Sequence, residues 1–430
     1  ANEHWRIKAE GSDGTFRISN IDQGGTTPFQ IHPTTKNVSV ITLNSIPFYT
    51  DAANNSMYTH DVSATDNSAQ NNTGYGFNTL QGITSGDNNT AIGKSAGGSL
   101  NTGHNNAILG AFAGDALTSG QHNIAVGFGA LSTETTGNKN VAVGHQTLLF
   151  QEVQGDAFNV VVGFEAGKEV TSGVRNTLIG GLTGDAITTG SDNVALGYNS
   201  LTSNTIGNSN VAIGKDSMIA NVAADRNVAV GLGTLQNMTS ATTTDTYNTA
   251  VGYAAGTAIT SGVENTLIGG LSGDSLTTGQ RNVAIGFEAL TNEDTGSRNI
   301  AIGYQALKTA NYDGNAYNIA VGYGAGSAIS TGQLNTLVGG LAGYNLSTGH
   351  NNVAIGMQAL ENEDEHGYNV AVGVEALQTL NAGANAFNVA VGFKAGHFLT
   401  AGTVNTLIGG NAGDALTTGS GNVAIGHMAL

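Results

Sequence analysis

The stretch NTLIGGLTGDAITTG, residues 176–190, returns almost unchanged as NTLIGGLSGDSLTTG at 265–279, NTLVGGLAGYNLSTG at 335–349 and NTLIGGNAGDALTTG at 405–419. Its core is an Asn, three aliphatic or small residues (or Thr) and a Gly at the fifth place. This core begins at twenty asparagines from Asn89 to Asn422; fifteen of the nineteen intervals are 17 residues, three are 19 and one is 21. A more divergent copy begins at Asn72. Such a short, fixed period indicates a repeat architecture in which one structural unit is stacked many times.

Each 17-residue unit has the pattern of one rung of a β-solenoid. NVAVG (140–144) alternates large and small residues, as a strand with one packed face does, and TTG before the next Asn is typical of a turn. Frequent Gly and β-branched residues disfavour a helix. We expect the Gly to turn with positive φ or to lie against a neighbouring backbone, and the Asn side chains to stack as an amide ladder. The predicted fold class is all-β, a parallel β-solenoid or β-roll of about twenty 17-residue rungs.

The rungs fall into two classes. Ten carry Ala-Leu or a close variant at the eighth and ninth places, and ten carry Gly at the ninth place with an aliphatic residue three places later. These later residues include Leu117, Val170, Ile187, Ile259 and Leu276. We expect the Leu and the later aliphatic residue to fill the same core volume by two routes. The classes mostly come in pairs and make a 70-residue super-unit, but the sequence gives no physical reason for the pairing.

Composition excludes several classes of protein. The 430 residues include 64 Gly, 3 Pro and no Cys, and 10% are charged. Such a chain has too few large side chains for a broad core, yet it is too aliphatic for disorder. Without Cys it has neither disulfides nor thiolate metal sites. A net charge of −17 disfavours nucleic acid or an anionic membrane as partner, and no apolar stretch has the length of a membrane-spanning helix.

Residues 1–50 differ from the repeats, since they contain the only Trp and all three Pro. The segments HWRIKAE, TFRISN, PFQIH and NVSVITL predict four strands separated by turn sequences. We therefore predict a small N-terminal β domain at 1–50 that caps or docks the rod, a polar transition segment at 51–71, and the repetitive solenoid rod at 72–430.

The stretch NVAIGFEALTNEDTGSRNIAIGYQAL, residues 282–307, resembles the repeats of long bacteriophage tail fibres and related surface proteins, which often end in an endosialidase-type intramolecular chaperone. More loosely it is similar to the left-handed parallel β-roll heads of trimeric autotransporter adhesins. The resemblance covers residues 72–430 and implies a homotrimer. The sequence departs from the adhesin pattern in its 17-residue period, and we expect it to have neither that family's coiled-coil stalk nor its membrane anchor.

Two sets of residues are candidates for binding. Asp115, Asp185, Asp274 and Asp414 occupy one equivalent place in the Gly-Asp rungs. They suggest calcium, although GGLTGD has one residue more than the GGxGxD calcium roll, and hydrogen bonding to turn backbone is the alternative. The aromatic residues that end the four long rungs are Phe158, Tyr247, Tyr317 and Phe387. Insertions in a solenoid bulge outward, so these four loops should line a common ridge. Their aromatic residues should either contact a receptor or anchor each loop to the rod.

The sequence predicts no enzyme and no required cofactor. Glycosidases need two carboxylates about 5–10 Å apart, whereas we interpret the acidic clusters TNEDTG (291–296) and ENEDEHG (361–367) as solvated faces that discourage aggregation. The ten His show no metal-ligand spacing, and neither GxSxG nor HExxH occurs.

The functional prediction is a structural fibre of the phage tail-fibre type that presents a host-recognition surface, located outside the cell on a virion tail or a surface appendage. The alternatives are a bacterial adhesin head or the subunit of a filament joined head to tail. Expected partners are the chain itself as a homotrimer, in which three rolls share small Ala faces, a host glycan or protein receptor, and a virion baseplate or neighbouring subunit through residues 1–50. Because Leu430 lies nine residues into a rung, we also expect its apolar cross-section to be covered by a tip domain, a separate protein or the next subunit.

Overall fold

The computed structural model describes residues 55–59, 68–239 and 242–430 in full, together with the backbone of seven strands before residue 55. The described residues are all-β and contain no helix. The chain divides into two compact units, residues 1–172 and 173–430. The parallel β-solenoid predicted from the sequence is confirmed, with six rungs in the first unit and fifteen in the second.

The strands of the first unit are β1 (Trp5–Glu10), β2 (Thr15–Asn20), β3 (Phe29–Ile31), β4 (Val38–Ser39), β5 (Thr42–Leu43), β6 (Ile46–Pro47), β7 (Tyr49–Asp51), β8 (Ser56–Tyr58), β9 (Thr73–Tyr75), β10 (Thr90–Ile92), β11 (Ala107–Leu109), β12 (Ile124–Val126), β13 (Val141–Val143) and β14 (Val160–Val162). The strands of the second unit are β15 (Thr177–Ile179), β16 (Val194–Leu196), β17 (Val211–Ile213), β18 (Ala224–Asp225), β19 (Val228–Val230), β20 (Thr244–Asp245), β21 (Thr249–Val251), β22 (Thr266–Ile268), β23 (Val283–Ile285), β24 (Ile300–Ile302), β25 (Ile319–Val321), β26 (Thr336–Val338), β27 (Val353–Ile355), β28 (Val370–Val372), β29 (Val389–Val391), β30 (Thr406–Ile408) and β31 (Val423–Ile425).

The first unit begins with an antiparallel sheet in the order β1-β2-β3-β4. The four strands predicted in residues 1–50 are therefore present, with NVSVITL divided between β4 and β5. Strand β7 pairs antiparallel with β8, and β8 pairs parallel with β9, which is the first rung. Whether residues 1–50 form a separate domain stays a prediction, and residues 60–67 of the transition segment lie outside the described residues.

Rung strands in each unit pair parallel and in register. We number the positions of a rung from its Asn as position 1, so that the strand covers positions 2–4. In the second unit β23 pairs with β24 through Val283↔Ile300, Ala284↔Ala301 and Ile285↔Ile302. The register holds across the 19-residue rungs too, because Ile300 pairs with Ile319. Insertions thus leave the stack undisturbed, as the sequence predicted.

The Asn at position 1 closes each rung and joins it to the rung before. The backbone N–H and the Nδ2 of Asn282 both donate to Oδ1 of Asn265, at 3.0 and 3.3 Å. The same Nδ2 donates to the carbonyl of Gly296 at position 15, at 2.8 Å. The bond from the backbone N–H to the preceding Asn Oδ1 recurs at nearly every rung, as at Asn299, Asn318 and Asn422. The two bonds from Nδ2 vary from rung to rung, and Asn193 and Asn335 are among those that make both. Asn282 has no exposed surface. The predicted amide ladder is confirmed.

The Gly at position 5 is required by both conformation and space. Gly180 has φ of +141°, where L residues are strained. A Cβ atom placed on it would lie 2.5 Å from the carbonyl oxygen of Gly197, the equivalent residue of the next rung. Consecutive rungs therefore approach at these glycines more closely than any side chain permits.

The core of each rung is a thin line of small and aliphatic side chains. Alanines at positions 3 and 8, such as Ala284 and Ala289, are fully buried inside the single chain. The prediction that chains of a trimer share small Ala faces is therefore wrong, because those faces already pack within one chain. The trimer itself stays a prediction. Leu290 at position 9 and Leu276 at position 12 are both fully buried, as expected for two routes of filling one core.

The rungs that carry Gly at position 9, which we call Gly rungs, occur as two consecutive rungs because of the residue at position 3. The second rung of each pair carries Leu or Ile there instead of a smaller residue. A Cβ on Gly256 would lie 2.7 Å from Cδ1 of Leu267, and one on Gly273 would lie 2.9 Å from Cδ2 of the same side chain. One Leu thus fills the space above two successive position 9 residues, so both must be Gly.

Candidate interaction surface

One outward face of the solenoid is apolar along each unit. Positions 2 and 4 flank the buried position 3, and across all rungs they hold Val, Ile, Leu, Thr, Ala or Tyr and never a charged residue. In the rung of Asn193 the exposed fractions are 38% for Val194, 46% for Leu196 and 52% for Tyr198 at position 6. We call the residues at positions 2, 4 and 6 the outer ladder. Position 6 is charged in two rungs, at Lys94 and Lys215, and positions 2 and 4 in none. So long a face with so few charges is unusual for a soluble surface.

Position 6 adds aromatic stacks to the outer ladder. In the second unit the ring of Phe287 stacks on Tyr304 with centroids 5.8 Å apart, and Tyr304 stacks on Tyr323 at 5.2 Å. In the first unit Phe128 and Phe164 stack on the two faces of His145, at 5.4 and 5.2 Å. Because the rings face one another along the stack, they present their edges to solvent and rigidify the apolar face.

The four aromatic residues of the long rungs lie half-exposed in the position just before the Asn. Lys139 Nζ lies 4.8 Å above the ring of Phe158. Arg226 and Arg298 lie over the rings of Tyr247 and Tyr317, at 5.9 and 5.2 Å.

Phe387 instead stacks on Tyr368, at 5.0 Å. Each ring is thus covered on one side by the residue of the preceding rung, a contact that anchors the loop. Tyr247, Tyr317 and Phe387 each directly precede an Asn at position 1 in the second unit, and their alignment in a common ridge stays a prediction.

The aspartates proposed for calcium are not brought together. Asp115 accepts a hydrogen bond from Ser132 Oγ at 2.5 Å, and burial raises the pKa of the Asp274 carboxyl, a rise that a hydrogen bond from Thr291 opposes. In the part of the chain that the structure describes, the one group with three ligand atoms within 4.8 Å of one another is Glu363, Asp364 and His366. This group includes none of the four aspartates.

Sequence reasoning missed the burial of three glutamates. Glu134, Glu293 and Glu363 have no exposed surface, although the last two belong to acidic clusters interpreted as solvated. The interpretation is wrong for these residues because position 12 points into the core. The signal was available, since each Glu stands where Leu276 and other aliphatic residues stand in the Gly rungs.

Each buried Glu caps its own turn and reaches the next rung. Glu134 accepts hydrogen bonds from the backbone of Thr136 (3.1 Å), Gly137 (2.7 Å) and Val153 (3.0 Å) and from Nε2 of Gln151 (3.0 Å). Four donors compensate much of the cost of burying a carboxylate.

The other two glutamates have weaker partners. Glu293 accepts from Gly296 N–H at 2.8 Å and from Tyr312 N–H at 3.5 Å. Burial raises its pKa to about 6. Glu363 accepts from the N–H groups of His366 and Ala382, both at 3.3 Å, and burial likewise raises its pKa.

No helix among the described residues is both long and apolar enough to span a bilayer. No protein-family model matches the sequence, and neither the curated proteins nor the solved structures contain a significant match. The fold places the protein in the class of parallel β-solenoid repeat proteins.

Proposed function

We propose that this protein is a non-enzymatic structural fibre of the phage tail-fibre type, located outside the cell, which assembles as a homotrimer and presents a host-recognition surface. The observation that supports the proposal is the outer ladder. In a chain of net charge −17, a face without a charge at positions 2 and 4 is the one along which copies can approach without repulsion or desolvation of ions.

The size of the outer ladder favours a stable assembly. In the rung of Asn193 the half-exposed side chains of Val194, Leu196 and Tyr198 offer roughly 200 Å² of outward surface, and rungs with Gly at position 6 offer less. A stretch of more than about four rungs therefore supplies the ~800 Å² that each partner buries in a stable interface. The ladder also repeats at the rung spacing of about 4.8 Å. A second copy of the chain has the same spacing and can match it over many rungs.

Within this proposal, the loops that end in Phe158, Tyr247, Tyr317 and Phe387 are the candidates for contact with a host glycan or protein. Residues 1–50 are the candidate for docking to a baseplate or a neighbouring subunit. An adhesin head or a head-to-tail filament would use the same rungs. Electron microscopy tests the filament alternative, because a filament-forming subunit gives rods of unlimited length.

The mass of the purified chain tests the assembly. We expect light scattering to give three times the chain mass of 43.4 kDa, and the double substitution Leu196→Lys and Phe287→Lys to lower it, because it places charges within the apolar face. Gln280→Lys is the matched control, as it adds a charge at position 16, outside the outer ladder. A wild-type chain that stays monomeric at micromolar concentration would overturn the assembly.

A further inference from the structure

The buried glutamates coincide with the long loops. Glu134, Glu293 and Glu363 each lie in the rung immediately before a 19-residue rung, and each accepts a hydrogen bond from the backbone of that next rung's loop. The contact is between a carboxylate without exposed surface and a loop that is largely exposed. Docking of the loop therefore decides whether water reaches the carboxylate.

The three sites differ in how well the carboxylate is compensated. In the first, Gln151 at position 12 of the long rung donates to Glu134 at 3.0 Å. In the second, the same position is Ala310, which has no donor. Glu293 then receives only the distant N–H of Tyr312 from the loop. Its docked loop thus excludes water from the carboxylate without replacing the lost hydrogen bonds.

The charged groups around Glu293 do not offset this cost. Position 12 of the rung before is Leu276, and that of the rung after is Ala310, both buried. In its own rung the neighbouring Asp294 adds repulsion. In the loop, Asp313 accepts from Thr295, and Arg298 lies over Tyr317. No cation among the described residues forms an ion pair with Glu293.

We propose that Glu293 is a pH-sensitive latch on the loop of residues 311–316, which docks most tightly when the carboxyl is protonated and loosens when it ionises. Burial raises the pKa of Glu293 from 4.5 to about 6. A raised pKa in the docked state means that docking is strongest below the ordinary pKa and weakens as the pH rises through about 6. This latch does not depend on the assembly proposed above.

Hydrogen exchange of the full-length chain tests the latch. After correction for the intrinsic pH dependence of exchange, we expect protection of the peptide that contains Tyr312 to fall roughly eightfold between pH 5 and pH 7.5, as a pKa of about 6 docked and 4.5 open requires. In Glu293→Gln the side chain is neutral throughout, so its protection should not change with pH.

A second variant keeps the test decisive if Glu293→Gln perturbs folding. Ala310→Gln supplies the donor that Gln151 supplies to Glu134, and it should reduce the pH response of the loop while keeping the carboxylate. Protection that is flat with pH in the wild type, or that falls equally in Glu293→Gln, would overturn the latch.

Discussion

The amide ladder offers the sharpest test of what holds the rungs together. Asn282→Ala removes the acceptor of the Asn299 N–H (2.9 Å) and the Nδ2 donor to Gly296 (2.8 Å) and to Asn265 (3.3 Å). All three partners lose a bond where little water can replace it, because the Asn residues concerned are almost fully buried. Each buried group left unsatisfied costs about 1–3 kcal/mol. The substitution should therefore lower the free energy of unfolding by about 3–5 kcal/mol.

Asn292→Ala is the matched control, because Asn292 lies in the same rung with an exposed side chain. Urea denaturation followed by far-UV circular dichroism measures both variants, and hydrogen exchange shows whether the loss is confined to the neighbouring rungs, as nearest-neighbour coupling predicts. If Asn282→Ala unfolds within about 1 kcal/mol of Asn292→Ala, the amide ladder is not what joins the rungs.

Three further substitutions and one control test the packing of the rungs. Gly180→Ala forces a side chain into φ of +141° and against the next rung, and should cost more than about 3 kcal/mol of stability. In Gly340→Ala the added Cβ meets no atom within 4 Å, so its thermal midpoint should match the wild type. Leu267→Ala should cost about 2–5 kcal/mol because it empties the space above two glycines. Ala284→Leu should cost about 1–3 kcal/mol by overfilling a rung that already holds a core Leu. Thermal midpoints equal to that of the wild type in Leu267→Ala and Ala284→Leu would contradict our account of the pairing.

The features that the sequence predicted well are those that every rung repeats. A Gly at position 5 and an Asn at position 1 recur without exception, so a local requirement of backbone geometry or hydrogen bonding was the simplest cause. The register of the strands follows from the same repetition, and Ile300↔Ile319 shows that two extra residues do not shift it.

The features that could not be predicted depend on which side of a thin rung a residue faces. Alternation along the strand places Ala284 on one face and Val283 and Ile285 on the other, but it does not show which face is the interior. Small residues suggested a surface shared between chains, whereas the structure places the alanines inside and the larger β-branched residues outside. The reason is spatial, since the interior of a 17-residue rung has room for one or two aliphatic side chains, such as Leu267 and Leu276, and only small ones beside them.

Position 12 shows how one place in the rung serves two purposes. Where position 9 is Gly, an aliphatic residue such as Leu276 fills the core from position 12. Where position 9 is Leu or Met, the core is already filled and position 12 can be polar. Asn204 and Asn221 then accept from the N–H at position 15, both at 2.9 Å, and cap the turn.

Glu293 makes the same cap with one oxygen, but its side chain is one methylene longer than that of Asn and its second oxygen reaches the loop of the next rung. This extra reach explains why Glu precedes each 19-residue rung. Asn221 precedes the 21-residue rung, whose insertion is held by pairing of β18 with β20 instead. The buried carboxylates therefore follow from the way a repeated fold accommodates an insertion. Burial raises the pKa of Glu293, and its insertion offers that carboxyl only one distant donor.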